Sequence, residues 1–361
     1  MASESEKFNC SGPSGLTRVD WKNADHVRSV VACLVQGVYI LERDRQERRK
    51  GPQALAPPWW ETFSFQLKHI LEDGADSSIF GAIFEYKPSS SSGNPSADGL
   101  RFVVAFRGTL MELESFARDI ELDLQFLRNK LHSSSRCEKA MQEVENLVAI
   151  AGESRVWLAG HSLGSAIALL TGKNMAKKGS KLESFLFNPP YVSVPIERIN
   201  SKKWKQAIQV AITVASFVGA LANRSLEQLN QSADSFAALS HWVPRLFVNV
   251  ADDCCSGYIS YFERRVGMQN MGAGAIQRVT NHHTLGSLFL SENGTQAEPL
   301  HLIPSADLTI NLTPPKEFVR AHGIREWWRQ DLSLKSKVYK YDNQYWRYCW
   351  TIISRRLCVC I

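Results

Sequence analysis

The sequence predicts an α/β fold in which a mostly parallel central sheet is flanked by helices. A short apolar run at 156–159 is followed by a glycine-rich turn and a longer apolar run at 166–170, the pattern of a buried strand leading into a helix. Two more short apolar runs, at 185–187 and 244–250, predict further buried strands, with a segment of helical tendency between them. Strands that alternate with helices are typical of parallel sheets.

The N-terminal part predicts a helix and a hairpin. Residues 24–48 end in a charged run and place a set of apolar residues on one face, as a helix requires: Val27, Val30, Val31, Leu34, Val35, Val38 and Leu41. Residues 80–86 and 101–106 predict two strands, joined by the Pro/Ser/Gly-rich loop 87–98 into a hairpin with a long tip. Residues 136–150 predict a helix that leads into the strand before the glycine-rich turn.

The glycine-rich turn reads G-H-S-L-G over residues 160–164. G-x-S-x-G between a strand and a helix is typical of the nucleophile elbow of α/β-hydrolases. The residues two before and two after the serine must lack a Cβ so that strand and helix can pass closely. The elbow predicts Ser162 as a nucleophile and the N–H of Leu163 as an oxyanion donor. A glycine-rich helix start without chemistry is the alternative, but the flanking strand and helix patterns favour the elbow.

An elbow serine predicts an acid and then a histidine later in the chain. Asp252 and Asp253 follow the strand at 244–250, at the sheet edge where α/β folds place functional groups. Asp252 is the preferred acid because it is nearer the strand end, and a simple turn is the alternative interpretation.

Four histidines follow this acid: His282, His283, His301 and His322. His301 lies in L-H-L-I-P, which looks like a strand, within a run at 300–312 that resembles a hairpin. His282 and His283 lie in a polar turn and are an alternative base. His322 lies in A-H-G-I-R-E-W-W, where the neighbouring Gly323 lets the loop bend toward the serine, so His322 is the predicted base.

A second oxyanion donor is predicted in F-R-G-T, residues 106–109. This segment follows a strand at the position where hydrolases place their other oxyanion N–H. Gly108 allows the turn, and Thr109 offers both its N–H and its hydroxyl.

Four features together resemble the class 3 (fungal-lipase-like) lipase family: F-R-G-T, G-H-S-L-G, the aspartate after a V-x-V strand, and A-H-G…W-W. The phrase E-P-L-H-L-I-P-S-A-D-L-T-I-N-L is similar to a plant branch labelled GDSL esterase/lipase-like, although the chain contains no G-D-S-L. The resemblance covers about residues 20–342. It implies an α/β-hydrolase fold with a set of site residues: Ser162 as nucleophile, Asp252 as acid, His322 as base, and Thr109 with Leu163 as oxyanion hole. It also implies structural roles for Arg107 and Asp119.

The chain departs from the family pattern at one position, and one further region matches it poorly. The common elbow continues as G-H-S-L-G-G, whereas Ser165 stands at the last position here, and we expect it to tighten the contact between helix and strand. A helical insertion around 191–240 matches the fungal enzymes poorly. Its apolar stretch, 207–222, predicts either a helix buried under the sheet or a lid or acyl-binding wall.

These features predict a single domain over residues 1–342 and a C-terminal tail over 343–361. The predicted function is a serine carboxylic-ester hydrolase acting on lipid or other acyl esters. The alternative is a catalytically idle lipase-like scaffold that binds a ligand or a signalling partner. Because the chain lacks H-E-x-x-H and a Gly-rich phosphate loop, we expect neither a metal nor an organic cofactor.

Composition limits the binding partners and the cellular location that the sequence predicts. The 361 residues are 44% hydrophobic and 22% charged, as in ordinary globular proteins. The net charge of +6 is too weak to indicate nucleic-acid binding but is compatible with peripheral contact with an anionic membrane. The polar N-terminus predicts no secretory signal, and the eight cysteines fit no zinc or disulfide spacing, which favours a cytoplasmic location. Cys358, fourth from the end, weakly resembles a prenylation site, with an unstructured end as the alternative.

Overall fold

A computed structural model describes residues 16, 19–56, 59–87, 99–110, 134–191, 238–270, 300–329 and 331–341. Its strands are β1 Phe65–Glu72, β2 Ile79–Tyr86, β3 Phe102–Phe106, β4 Val156–His161, β5 Glu183–Phe187, β6 Arg245–Asn249, β7 Ala306–Asn311 and β8 Leu334–Tyr339. Its α-helices are α1 Ala24–Gln46, α2 Ser135–Ala151, α3 Leu163–Lys177, α4 Gly257–Asn270 and α5 Phe318–His322.

The eight strands form one sheet whose spatial order follows the chain order. The first three strands pair antiparallel, so the hairpin predicted over 80–106 is confirmed. From β3 to β7 every pairing is parallel. This mostly parallel sheet with helices at its sides is the architecture predicted for an α/β-hydrolase fold. Parallel pairing also brings the carboxyl ends of β3 to β7 to one edge of the sheet, where the predicted site residues follow the strands.

Helix α1 is buried on nearly all sides, not along one face alone. Its N-cap Asn23 accepts the backbone N–H groups of Asp25 and His26, and basic residues lie in its last turn. Buried charges on this helix are paired, as for Glu42, which accepts two hydrogen bonds from Arg45. The helix is long and apolar enough to span a bilayer, a test that core helices also pass, and 78% of its most apolar window is buried within the protein.

The hairpin predicted over 300–312 is wrong. Residues 300–305 form turns and loop, and only β7 is a strand, which pairs in parallel with β6. His301 therefore lies in a turn and not in a strand. Pro304 explains the difference, because a proline has no N–H to donate to a ladder and delays the strand start to Ala306.

The contacts divide the chain into two units. The first comprises residues 1–190, 242–256 and 307–337, and contains an apolar core formed by α1 and the inward faces of the sheet strands. The second comprises residues 191–241, 257–306 and 338–361. In this second unit the described aromatic rings pack together, with Tyr191 5.1 Å from Tyr258 and 4.7 Å from His301 between ring centroids.

Several predictions concern residues that lie outside the described ranges. These are the loop 87–98 beyond its first residue, most of the insertion 191–240, Asp119, His282, His283 and the tail 343–361 with Cys358. The cysteines within the described ranges, Cys33, Cys137, Cys254 and Cys255, are free and buried.

Candidate active site

Ser162 lies in a strained turn between β4 and α3. Its backbone has φ 54° and ψ −124°, a region that side-chain-bearing residues rarely adopt and that costs on the order of 1–3 kcal/mol. Two backbone hydrogen bonds hold the turn: the Ser162 N–H donates to the Phe187 carbonyl at 3.0 Å, and the Ser162 carbonyl accepts from Ala166 at 3.2 Å. Strain at a position fixed from both sides is typical of functional turns.

The two elbow glycines are required by close backbone approach. A Cβ on Gly160 would lie 2.3 Å from the carbonyl oxygen of Gly164. A Cβ on Gly164 would lie 2.3 Å from the carbonyl oxygen of Phe106, at the end of β3. Both distances are far shorter than a van der Waals contact, so the absence of side chains predicted at these positions is confirmed.

Ser165 ties the elbow helix to the sheet. Its hydroxyl donates a hydrogen bond of 2.8 Å to the carbonyl of Phe187, the last residue of β5, and its side chain is fully buried. The Phe187 carbonyl therefore accepts from both Ser162 and Ser165. This contact agrees with the tightening predicted for this departure from the family elbow.

The structure brings Asp252 and His322 together. His322, the last residue of α5, has its Nδ1 2.8 Å from Oδ2 of Asp252, which lies in the turn after β6. Both side chains are buried: His322 is 2% exposed and Asp252 is 0% exposed. Asp253, the alternative acid, is exposed. A backbone hydrogen bond from Cys254 to the second oxygen of Asp252, at 3.0 Å, fixes the carboxylate further.

The pKa of Asp252 lies below its ordinary value although burial alone would raise it. The charge and hydrogen bond of His322 oppose the effect of burial, and hydrogen bonds from Asn188 and Cys255 add to them. The carboxylate is thereby kept ionised against the Nδ1 edge of the imidazole. A buried carboxylate in this position fixes the tautomer of the ring and stabilises a proton on the other nitrogen.

A chain of hydrogen bonds joins the elbow to helix α1. His161 Nε2 is 2.6 Å from the backbone carbonyl of His322, and His161 Nδ1 is 2.8 Å from the hydroxyl of Tyr39. Burial, followed by the charge of His322, lowers the pKa of His161 to about 3, so the ring is neutral. Because a carbonyl only accepts, the proton is on Nε2, and Tyr39 donates to Nδ1. The same hydroxyl accepts the N–H of Gly108 at 2.7 Å.

The F-R-G-T segment lies against Ser162. A Cβ on Gly108 would be 2.9 Å from the Cβ of Ser162 and 2.6 Å from the Tyr39 hydroxyl. The buried Arg107 donates to the Gly108 carbonyl at 2.6 Å. Since a peptide unit is planar, holding this carbonyl also sets the direction of the Thr109 N–H. Thr109 is exposed, and Leu163 is half-buried at the first position of α3.

Arg107 is itself held from two sides. Its Nε donates to the Ile79 carbonyl at 2.5 Å, and its guanidinium lies 3.7 Å from the buried carboxylate of Glu42. The structural position that the resemblance implies for Arg107 is consistent with these contacts.

Sequence analysis assigned no role to four buried side chains around the Asp252–His322 pair, although Trp327 lies within the A-H-G…W-W segment: Asn188, Asn249, Cys255 and Trp327. N-P-P at 188–190 reads as a strand stop. The edge rule that selects Asp252 would also have selected Asn188, because it follows the neighbouring parallel strand β5. Nothing in the local sequence indicates the role of Trp327.

One donor set in the described part of the chain has the composition of a metal site. Ligand atoms of Asp252, Cys254 and His322 lie within 4.8 Å of one another. Burial and the charge of Asp252 raise the pKa of the Cys254 thiol, which keeps it protonated and a poor ligand. The carboxylate and the imidazole are already hydrogen-bonded to each other, so this set fits an acid–base pair better than a metal.

The chain is similar to known proteins. The family described as Lipase (class 3) matches residues 101–211, which include F-R-G-T and the elbow. A GDSL esterase/lipase of Arabidopsis thaliana is 48% identical over 352 residues, covering 94% of this chain and 99% of that protein.

Proposed function

The chain belongs to the class 3 lipase family, and we propose that it is a serine hydrolase that cleaves carboxylic esters of lipids or other acyl groups. The observation that carries this proposal is the buried Asp252–His322 hydrogen bond, in a chain whose elbow serine has a strained backbone. The His161 bond to the His322 carbonyl fixes the histidine segment against that elbow. Such an arrangement of nucleophile turn, imidazole and carboxylate is recognised by its geometry and not by sequence position.

In the proposed mechanism Ser162 Oγ attacks the ester carbonyl while Nε2 of His322 takes the hydroxyl proton. Asp252 stabilises the imidazolium, and the tetrahedral oxyanion accepts hydrogen bonds from the N–H groups of Leu163 and Thr109. Collapse of this intermediate breaks the ester C–O bond, and the imidazolium gives its proton to the departing alkoxide. A water molecule, deprotonated by His322, then attacks the acyl-enzyme and releases the carboxylic acid and free Ser162.

The test is hydrolysis of p-nitrophenyl esters of increasing acyl chain length by the wild-type protein and by Ser162→Ala. We expect the substitution to lower kcat by about 10⁶ without unfolding the protein, since the nucleophile and base act as a unit. Ser165→Ala is the matched control, because it removes a neighbouring serine hydroxyl that bonds to a backbone carbonyl and not to the proposed pair. Hydrolysis that survives in Ser162→Ala at the wild-type rate would overturn the assignment.

A fluorophosphonate probe separates this proposal from that of an idle scaffold. The probe reacts with a serine that a neighbouring base activates, so we expect covalent labelling at Ser162 and none in Ser162→Ala. A wild-type protein that folds but is neither labelled nor active would support a ligand-binding scaffold instead.

We also propose that the enzyme works in the cytoplasm and reaches lipid substrates at anionic membrane surfaces. Free buried thiols at the described cysteines suit a reducing compartment, and the net charge of +6 favours contact with anionic lipid. Sedimentation with vesicles that contain anionic phospholipid should recover more protein at low salt than at 0.5 M salt, whereas neutral vesicles should recover little.

A further inference from the structure

Asn188 lies at the carboxyl end of β5. This strand lies between β4, which leads to the elbow, and β6, which leads to the proposed acid. Asn188 directly follows β5 with a backbone φ of 46°, and its N–H donates to the carbonyl of Phe247 in β6 at 2.9 Å. Asparagine tolerates this left-handed conformation better than most residues. The backbone is thus fixed so that the side chain is directed into the protein, where it is fully buried.

The orientation of the Asn188 amide is set by a neighbouring indole. Trp327 Nε1 donates to Oδ1 of Asn188 at 2.5 Å. An indole N–H can only donate, so the amide atom that faces it must be the oxygen. The amide nitrogen therefore faces the opposite side, where it donates to Oδ2 of Asp252 at 2.6 Å and lies 3.3 Å from the carbonyl of Ala321.

Besides the Cys255 sulfur at 3.8 Å, the Asn188 amide nitrogen has two oxygen acceptors, which belong to the two halves of the proposed acid–base pair. Asp252 Oδ2 is also the oxygen that is hydrogen-bonded to Nδ1 of His322, and Ala321 immediately precedes His322 in the chain. One amide thus connects the carboxylate to the backbone of the histidine segment. A second buried amide, that of Asn249, donates to the same Ala321 carbonyl at 2.9 Å.

We propose that Asn188 is a positioning residue for the hydrolysis proposed above, holding the Asp252 carboxylate and the His322 segment in one hydrogen-bonded frame. The proposal rests on that proposed function. The amide acts through Asp252 and does not touch the reacting atoms. The amide N–H and the imidazole N–H both donate to the same carboxylate oxygen. The amide therefore orients that oxygen and partly neutralises the negative charge beside the imidazole.

Charge explains why this position suits an amide and not an acid. Asparagine presents a donor to Asp252 and an acceptor to Trp327 without adding charge. An aspartate in its place would keep the acceptor for the indole but set a second carboxylate beside the first at about the present 2.6 Å. Two carboxylates at such a distance cannot both ionise readily and share a proton.

The experiment uses Asn188→Gly and Asn188→Asp in the full chain. Glycine removes the amide while tolerating the positive φ, and aspartate keeps the shape of the side chain. For Asn188→Gly we expect kcat/KM to fall by about 10- to 100-fold, mostly through kcat, because one hydrogen bond to a charged group is lost. The acidic limb of the kcat/KM profile should move to higher pH in both variants, because the Asp252 oxygen loses a donor in Asn188→Gly and the two carboxylates gain negative charge in Asn188→Asp once their shared proton is released.

Asn249→Ala is the matched control. It also removes a buried amide that binds the Ala321 carbonyl, but the oxygen of that amide accepts the N–H of Ala251, and among the described residues the side chain does not hydrogen-bond to the Asp252 carboxylate. We expect a lower unfolding temperature with an unshifted acidic limb. A shift in Asn249→Ala equal to that of the Asn188 variants, or a wild-type profile in both Asn188 variants, would overturn the positioning role.

Failure of this inference can be told from failure of the proposed function. If Ser162→Ala abolishes hydrolysis while the Asn188 variants keep the wild-type profile, the hydrolase stands and the positioning role falls. If Ser162→Ala remains active, the proposed function itself is wrong.

Discussion

Replacing Tyr39 by phenylalanine removes one hydroxyl that connects three parts of the site. That hydroxyl accepts the Gly108 N–H at 2.7 Å and donates to His161 Nδ1 at 2.8 Å. Burial raises the pKa of Tyr39 despite the nearby Gly108 N–H and Arg107 charge, so the hydroxyl keeps the proton that it donates. Phenylalanine fits the same volume, and the change is therefore confined to these two bonds.

The cost follows from the two groups left behind. A buried donor or acceptor without a partner costs about 1–3 kcal/mol, so we expect a clear loss in the free energy of unfolding. The effect on catalysis comes through Gly108, whose peptide precedes the Thr109 N–H. If that N–H turned away completely, the rate would fall by about 10²–10³, the loss of one oxyanion donor. Because Arg107 still holds the Gly108 carbonyl, we expect a smaller fall in kcat, about 10- to 100-fold.

The assay is steady-state hydrolysis of a short p-nitrophenyl ester, with thermal unfolding measured in parallel. Tyr86→Phe is the control. Tyr86 is the last residue of strand β2 and belongs to the apolar core, where its hydroxyl accepts a hydrogen bond of 2.9 Å from Trp21. This substitution should lower stability without lowering kcat. If Tyr39→Phe keeps the wild-type kcat and loses only as much stability as Tyr86→Phe, then helix α1 does not position the segment 106–109 for catalysis.

Three further predictions concern the acid, the elbow and pH. Asp252→Asn should lower kcat by about 10⁴, the loss expected when a triad acid becomes an amide, whereas the exposed Asp253→Asn should stay within about twofold in the same ester assay. Gly164→Ala should lower the unfolding temperature and the yield of folded protein, because the new Cβ would lie 2.3 Å from a backbone oxygen and overpacking costs about 1–3 kcal/mol or more. His161 has a pKa lowered from 6.5 to about 3, so the unfolded chain binds its proton first as pH falls. Stability from this group is complete above about pH 6.5 and declines below it, and urea titrations between pH 7 and 5 should show a shallower decline for His161→Gln.

The parts of the site that a short motif encodes could be predicted from the sequence. The elbow glycines are dictated by backbone contacts within a few residues of Ser162, so their spacing alone identifies the turn. Asp252 was found because it follows a buried strand of a parallel sheet. These inferences need only local geometry and the rule that functional groups gather at the carboxyl edge.

The remaining parts depend on contacts between distant segments. Asn188 and Trp327, which are hydrogen-bonded, lie 139 positions apart in the sequence, and Tyr39 and His161 lie 122 positions apart. The periodicity of apolar residues gives no information on contacts between such distant positions. Strand β1 escaped prediction because most of its side chains are exposed or half-buried, which hides the apolar alternation of a strand. His301 was assigned to a strand because apolar neighbours alone do not reveal how Pro304 delays the start of β7.

The order in which the site residues occur along the chain has a consequence for biosynthesis. The elbow serine is translated 160 positions before His322, and the carboxylate 70 positions before it. During synthesis the proposed nucleophile therefore exists for seconds on a nascent chain that still lacks the proposed base, at ribosomal speeds of about 5–20 residues per second. Under the proposed mechanism, the serine is inactive on the ribosome and becomes reactive only once α5 has docked.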